Sequence, residues 1–418
     1  QTYMKVAICT LGCKVNQYET QALEQELKRR GHTLADFEET ADIYVVNTCS
    51  VTAMSDSKSR NLIRKVHRVN PEAAVIVTGC SAQLRRAEIE AIEGVTRVFG
   101  ATEKQSVVPD TLALMGLPAA GDSLRKNRVF GAFSTGERTR SFLKVQDGCN
   151  NFCKYCTVPY ARGESRNIPI SECVCNARKI AQEGVKEIVL TGVNTGDFGR
   201  STGESFLDLL KALEQVEGIE RYRISSIEPN LLEDDIIDWI ASGTRFQPHF
   251  HIPLQAGTDE LLRSMGRHYD TAFFERKIDY VRQKLEAPGK PLVFFGIDVM
   301  AGLPGETEEL FRSGMDFIRR IRPAFIHVFP YSRRPGTPAA EMPGQVSDKD
   351  KRRRVEELEK LCAGLHASFI EANRGIKERV LFESTDRGGR MEGYTGNYIR
   401  IEREYDPALC GKIVDVVI

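Results

Sequence analysis

DGCNNFCKYCTVPYARG, residues 147–163, sets Cys149, Cys153 and Cys156 in a C-x3-C-x2-C spacing. A loop can wrap three thiolates around one corner of a cubane where a helix or a strand cannot. A [4Fe–4S] cluster normally takes four thiolates. With three at hand, one iron is left open to an outside ligand. The spacing does not fit structural zinc, which is usually held by two paired knuckles. The plain alternative is a buried cysteine-rich loop.

Outward from this loop the chain alternates between strands and helices. FLKVQ (142–146), EIVLT (187–191), RYRISSI (221–227), HFHIP (249–253), LVFFGIDVM (292–300) and FIHVF (325–329) read as strands. Helical patterns fall at 171–184, 206–217, 232–242, 271–286 and 306–321, and a charged helix follows at about 347–372. Six strand–helix repeats are too few for a closed eight-stranded barrel, so the expectation is an open, partial (β/α)6 barrel.

Upstream, MKVAIC (4–9), DIYVVN (42–47) and AVIVT (74–78) read as buried strands, with helices at 16–30, 53–69 and 83–92. This alternation predicts an open parallel α/β unit. Cys13, Cys49 and Cys80 each follow one of these strands, beside Gly12, Thr48 and Gly79. Ligands of open α/β sheets sit at the carboxyl ends of strands. Three loops distant in sequence therefore deliver three thiolates to one point, suited to an iron–sulfur cluster with an open site or to zinc. Taken singly, each is equally a small core residue.

Downstream of 373, RVLFES, MEGYTGNYIRIE and GKIVDVVI are short β-like segments around a Gly388-Gly389 turn. They predict a small antiparallel barrel of the OB type that leans on its neighbour. The domain expectation is 1–104, a linker at 105–134, 135–372 and 373–418.

The chain has 418 residues, with 58 Lys plus Arg against 58 Asp plus Glu. Its composition is that of a globular protein, not a disordered one. It carries no apolar run of membrane-spanning length and no basic-then-apolar leader pattern. Eleven cysteines, an odd number, argue against a disulfide scaffold. A cytoplasmic protein without membrane contact is expected, in which clustered thiols mean metal or catalysis. Cys173 and Cys175 stand at i, i+2 on a helix, on different faces. With Cys9, Cys362 and Cys410 they read as structural.

The C-x3-C-x2-C loop, with Tyr155 before its third cysteine, resembles the radical S-adenosylmethionine (SAM) superfamily. TLGCKVNQYET, NTCSVT, TGCSAQ, HIPLQAGTDELLRSMGR (251–267), DVMAGLPGETEE (298–309) and YSRRPGTPAAEM (331–342) widen the resemblance to the methylthiotransferase family. The tail resembles its RNA-binding TRAM domain. Lys14 in TLGCKVNQYE resembles the branch acting on N6-threonylcarbamoyladenosine in tRNA. The isopentenyladenosine and ribosomal-protein branches, which differ there, stay as alternatives.

The resemblance implies methylthio insertion at C2 of the modified adenosine beside the anticodon. It implies two [4Fe–4S] clusters, one on Cys149, Cys153 and Cys156 that cleaves SAM to a 5′-deoxyadenosyl radical, and one on Cys13, Cys49 and Cys80 that carries the sulfur. SAM is then both methyl donor and radical source. The implied partners are a tRNA anticodon stem-loop, an external electron donor and a sulfur source. Tyr155 is placed beside the adenine of SAM. A rival of another class is a non-catalytic RNA-binding scaffold in which Cys13, Cys49 and Cys80 hold a structural metal.

Further SAM contacts are expected at Gly192 and Asn194 of the TGVN turn, where glycine permits close approach, unless this is a plain connecting turn. Ser226, Gln255 and Asp298 lie at or near later strand ends, where barrel ligands are contacted. GLPGET (302–307) lacks the ending of a phosphate loop and reads as a turn capping the next helix.

Charge is uneven. Residues 58–70 hold five Lys/Arg and no acid, and residues 123–168 hold nine against three. Such stripes suit a phosphate backbone, although a basic run can be simply a solvated face. Arg162 and Arg166 are the expected backbone contacts. Tyr394 and Tyr398 are expected to stack on bases, with strand packing as the alternative.

Overall fold

The computed structural model describes residues 3–117 and 139–418. Residues 118–134 of the expected linker lie outside the described residues. So do Arg125, Lys126, Arg128 and Arg138 of the basic stretch.

The N-terminal part is a parallel five-stranded sheet. Its elements in chain order are β1 (Lys5–Thr10), α1 (Lys14–Arg29), β2 (Thr33–Ala35), β3 (Ile43–Thr48), α2 (Ala53–Val69), β4 (Ala74–Gly79), α3 (Cys80–Leu84), α4 (Arg86–Glu90), β5 (Val95–Val98) and α5 (Val107–Leu114). The strand order is β2-β1-β3-β4-β5. β3 and β4 are buried along their whole length, as expected of central strands with helices on both faces. β2 and β5, of three and four residues, are edge strands too short to carry a readable period.

The reading placed a single helix at 83–92, and the structure corrects it. The chain turns directly from β4 into α3, and Arg85 at φ −132° separates α3 from α4. Gly79 makes the sharp entry possible. Its φ is +104°, and a Cβ there would meet the Thr48 carbonyl oxygen at 2.3 Å.

The central part begins with β6 (Arg140–Lys144). The short antiparallel pair β7 (Gln146–Asp147) and β8 (Arg166–Asn167) brackets the cysteine loop and α6 (Val158–Arg162). There follow α7 (Ile170–Gln182), β9 (Glu187–Thr191), α8 (Phe206–Glu214), β10 (Arg221–Ile224), α9 (Asp234–Ala241) and β11 (His249–His251). Next come α10 (Asp259–Ser264), α11 (Thr271–Leu285), β12 (Phe294–Ala301), α12 (Glu308–Ile321), β13 (Phe325–Pro330), α13 (Pro338–Glu341) and α14 (Asp348–Ala372).

β6, β9 and β10 form one parallel sheet and β11, β12 and β13 another. Parallel bridges Tyr222–Phe246 and Ser226–His251 join them into a six-stranded open barrel. Strand alternation sorts the side chains by face. Leu143, Ile188, Ile224, Phe250, Ile297 and Ile326 pack into the core against the helices. Their neighbours, including Phe142, Lys144, Arg223, His251, Asp298 and His327, stand on the opposite face, which is the lumen. Thr307 caps α12 by accepting from the Leu310 N–H, so GLPGET is a helix-entry turn.

The tail folds as β14 (Lys377–Phe382), β15 (Arg390–Tyr394), β16 (Arg400–Glu404) and β17 (Ile413–Val417), antiparallel in the order β16-β15-β14-β17. It leans on the barrel. Arg223 donates to the carbonyls of Gly396 (2.7 Å) and Thr395 (2.8 Å), and Asn397 donates to that of Leu292 (2.9 Å). Among the described residues no helix is long and apolar enough to cross a membrane.

Candidate iron–sulfur and substrate site

Cys13, Cys49 and Cys80 follow β1, β3 and β4, three adjacent strands, so parallel pairing alone brings their loops to one sheet edge. The approach is close: a Cβ on Gly12, whose φ is +101°, would meet Cys49 Sγ at 2.3 Å. Burial, with the charges of Cys13 and Cys80 adding to it, pushes the Cys49 thiol up to about 11. Burial also raises Cys80, against the pull of Arg162 and Lys104. A metal among such thiols would favour their thiolate forms.

Cys149, Cys153 and Cys156 lie on the loop between β7 and α6. Gly148 lets the loop leave β7 against Glu164, whose carbonyl oxygen would lie 2.0 Å from any Cβ there. The Lys154 N–H donates to the Met265 carbonyl at 3.0 Å, tying the loop to the barrel. Burial, together with neighbouring thiols, pushes Cys149 up to about 11 and Cys156 up to about 12. Arg267 donates to Cys153 Sγ and to the Tyr155 hydroxyl, each at 3.1 Å, while its other nitrogen holds Glu228 at 2.5 Å.

Neither triplet is drawn to single-ion spacing. A tetrahedral zinc thiolate site sets its sulfurs about 3.8 Å apart, from Zn–S bonds of about 2.3 Å. Among the described residues the trio with ligand atoms within 4.8 Å of one another is His251, Asp298 and His327, not either set of cysteines.

The triplets meet at one mouth. Ser50, next to Cys49, lies 3.3 Å from Thr157, next to Cys156, hydroxyl to hydroxyl. Cys80 packs with Ala161 of α6. Beside them a cleft of about 260 Å³ runs into the barrel, lined by Tyr155, Cys156, Gln255, Asp298, Phe329 and Arg334 among others. Three of the expected SAM contacts, Tyr155, Gln255 and Asp298, therefore share a wall with Cys156. Gln255 is held at φ +72°, with its N–H on the Asp298 carbonyl (2.7 Å).

Gly192, Asn194 and Ser226 lie at the carboxyl ends of β9 and β10. A Cβ on Gly192 would meet Gln146 Oε1 at 2.9 Å. Asn194 is buried, and neither polar atom of its side-chain amide has a partner among the described residues. An orphaned buried amide at the carboxyl end of β9 suits the polar end of SAM. With three thiols in each triplet, the residues fit both groups that the site implies.

The RNA expectations need correction. Arg162 is 2% exposed. It donates to Glu19 (2.9 Å), Asp147 (3.0 Å) and Asn16 (2.8 Å), so it joins α1 to the barrel and is not open to a phosphate. Arg166 is spent on the carbonyls of Arg162 (2.7 Å) and Glu164 (3.0 Å). Tyr394 and Tyr398 stack on each other with ring centres 4.8 Å apart. The Arg140 guanidinium lies 4.8 Å from the Tyr394 ring and that of Arg223 lies 4.9 Å from the Tyr398 ring. These tyrosines pack in the seam between tail and barrel, as the strand-packing alternative expects.

The residues missed by the sequence reading form a buried charge cluster. Glu19 bonds Arg162, Lys144 (2.6 Å) and Lys104, and Lys144 also bonds Asp147 (2.7 Å). Burial alone would raise the Glu19 carboxyl, but Arg162, Lys104 and Lys144 hold it well below the carboxylate range. The one visible signal was Asn16 and Glu19 inside the TLGCKVNQYET motif.

Two family models match the chain: "Uncharacterized protein family UPF0004" over residues 5–100 and "Radical SAM superfamily" over residues 143–318. The threonylcarbamoyladenosine tRNA methylthiotransferase MtaB of Bacillus subtilis is 40% identical over 99% of this chain and 93% of its own length. That of Aquifex aeolicus is 35% identical over 99% and 100%. A tRNA-2-methylthio-N(6)-dimethylallyladenosine synthase of Pelotomaculum thermopropionicum is 32% identical over 99% and 95%. Among solved structures, the radical SAM methyltransferase TsrM of Kitasatospora setae has the same fold. It matches with a TM-score of 0.57 at 17% identity, over 81% of this chain and 77% of that one. Membership of the radical SAM superfamily implies a [4Fe–4S] cluster and SAM. Together with relatives alike along the whole chain, it places the protein in the radical SAM methylthiotransferase family, in its threonylcarbamoyladenosine (MtaB) branch.

Proposed function

We propose that this protein inserts a methylthio group at C2 of N6-threonylcarbamoyladenosine beside the anticodon of tRNA. The observation that carries the reading is the meeting of two cysteine triplets at one mouth, with Ser50 and Thr157 in contact between them. The C2–H bond of a purine is unactivated, and no side-chain acid or base removes that hydrogen at neutral pH. The SAM-bound cluster supplies the one-electron chemistry that side chains lack.

The chain's own residues bind and orient. Cys149, Cys153 and Cys156 hold the SAM cluster, and Cys13, Cys49 and Cys80 hold a second [4Fe–4S] cluster that serves sulfur transfer. Asn194, Gly192, Gln255 and Tyr155 position SAM, and Asp298 borders the same wall. An external electron donor and a sulfur source complete the reaction, in the cytoplasm.

Around the mouth Val51, Met54, Phe152, Tyr160 and Phe329 are exposed apolar side chains, with Phe152 edge-on to Tyr160. They offer surfaces for unstacked bases, as an extruded target nucleotide requires. Lys58, Arg64 and Arg68 of α2 are exposed and make no ion pair among the described residues, and they supply charge for the phosphate backbone.

Mass spectrometry of tRNA nucleosides tests the reading. Cells lacking the protein should show threonylcarbamoyladenosine without its 2-methylthio form, and restoring the gene should restore that form. Loss confined to the isopentenyl nucleoside would move the protein to the other branch.

A further inference from the structure

α1 lies across the side of the barrel, against β6. Tyr18 stacks on Phe142 with ring centres 3.9 Å apart, and Glu19 bonds Lys144; both partners are lumen-facing residues of β6. This face of α1 therefore looks into the barrel. Lys14 stands one turn before Tyr18, at i, i+4, and shares that face. It is exposed and makes no hydrogen bond or ion pair among the described residues. Its charge reaches His327 of β13 and His249 of β11, two lumen residues whose rings are held low by burial, with Lys14 among the further causes.

Beside it the lumen carries a polar trio. His251 Nε2 lies 2.7 Å from Asp298 Oδ1, and the His251 and His327 rings lie 4.9 Å apart. The trio's ligand atoms are close enough for a metal ion. Asp298 is engaged by His251, and Lys14 is a cation without a partner among the described residues, on the face of α1 that looks into this space. A site with a free ammonium and a neutral imidazole beside it accepts an anion.

C2 and N6 lie on the same edge of the purine. A base that offers C2 to the thiol-lined mouth sets its N6 substituent in the adjoining space, beside the residue that follows Cys13. The threonylcarbamoyl group ends in a carboxylate, whereas an isopentenyl group is uncharged.

We propose that Lys14 determines substrate specificity by pairing its ammonium with the carboxylate of the threonylcarbamoyl substituent, with His327 as a hydrogen-bond donor beside it. An uncharged substituent leaves the ammonium desolvated and unpaired, the kind of mismatch a polar site rejects strongly. The proposal rests on the substrate reading given above.

The test uses the full chain, reconstituted anaerobically, with three synthetic anticodon stem-loops. One carries threonylcarbamoyladenosine, one its carboxyl methyl ester and one isopentenyladenosine. The native chain should prefer acid to ester about 10- to 100-fold in kcat/KM, mostly through KM, as expected for a charge-assisted hydrogen bond. Lys14→Met and Lys14→Gln should treat acid and ester alike, and Lys14→Arg should restore the preference. Iron per chain, measured for every variant, identifies those that keep both clusters, and kinetics are compared among these.

Undiminished acid-over-ester preference in the neutral variants would overturn the proposal. So would an equal loss toward both loops, which marks a structural role. A native chain that modifies the isopentenyl loop and ignores the threonylcarbamoyl loop would instead overturn the substrate reading itself.

Discussion

The two cysteine triplets reach the same mouth by opposite routes. Cys149, Cys153 and Cys156 are held within one loop of eight residues, anchored by Gly148 and by the Lys154–Met265 hydrogen bond. Cys13, Cys49 and Cys80 are assembled by a sheet, each from the end of a different strand. The first is local and survives wherever its loop is seated. The second exists only while β1, β3 and β4 stay in register and α1 stays docked. The buried cluster of Glu19, Lys104, Lys144 and Arg162 fixes that docking, and two of its cations, Arg162 and Lys104, also bear on Cys80. The lesson is that the N-terminal triplet is assembled across the domain seam, whereas the loop triplet is assembled within one segment.

The largest effects should come from the thiols. Replacing Cys149, Cys153 and Cys156 with Ala should abolish 5′-deoxyadenosine formation, measured by chromatography after reduction with dithionite. Deoxyadenosine persisting above the enzyme-free background would break the assignment. Replacing Cys13, Cys49 and Cys80 should leave deoxyadenosine formation in place and remove the methylthio product. A methylthio product from that variant would show that the two triplets are not distinct in role.

Next is the seam. Glu19→Gln leaves three buried cations without their shared carboxylate, and removing one partner from such a group costs about 3–5 kcal/mol. Denaturant unfolding should register this loss. Iron should leave the N-terminal triplet faster than the loop triplet when the variant is held with a chelator. Equal rates for both would erase the contrast between them.

A smaller effect concerns pH. The folded Glu19 carboxyl lies below its unfolded value of about 4.3. Its contribution is therefore fully present above that value and lost as pH falls through the lower, folded one. The stability gap between native chain and Glu19→Gln should stay flat from neutral pH to about 5 and close only in more acid solution. A gap that closes between pH 7 and 5 would assign the effect to another group.

The smallest effect sits on the radical side. Arg267→Met removes a hydrogen-bond donor and a positive charge from Cys153, so the midpoint potential of the cluster there should move lower, as read by redox titration.

What could be read in the sequence follows the same division. Local spacing carried the cysteine loop, and strand–helix alternation carried the barrel, because both signals are short-ranged. The N-terminal triplet was legible through repetition, a cysteine after each of three strands. Arg162 was misread because a run of basic residues says nothing about whether an acid 143 residues away folds against it; Glu19 does so. Tyr394 and Tyr398 were misread for the same reason, since their partners Arg140 and Arg223 come from β6 and β10. The α3–α4 break was hidden because Arg85, an ordinary helix former by type, adopts a non-helical backbone there.

The central claim is that each triplet holds its own four-iron cluster. Iron per chain, measured after anaerobic reconstitution of the native protein and of the two triple-alanine variants, tests it most directly. About eight irons in the native chain and about four in each variant are predicted. About four irons in the native chain, with zinc retained by Cys13, Cys49 and Cys80, would contradict it.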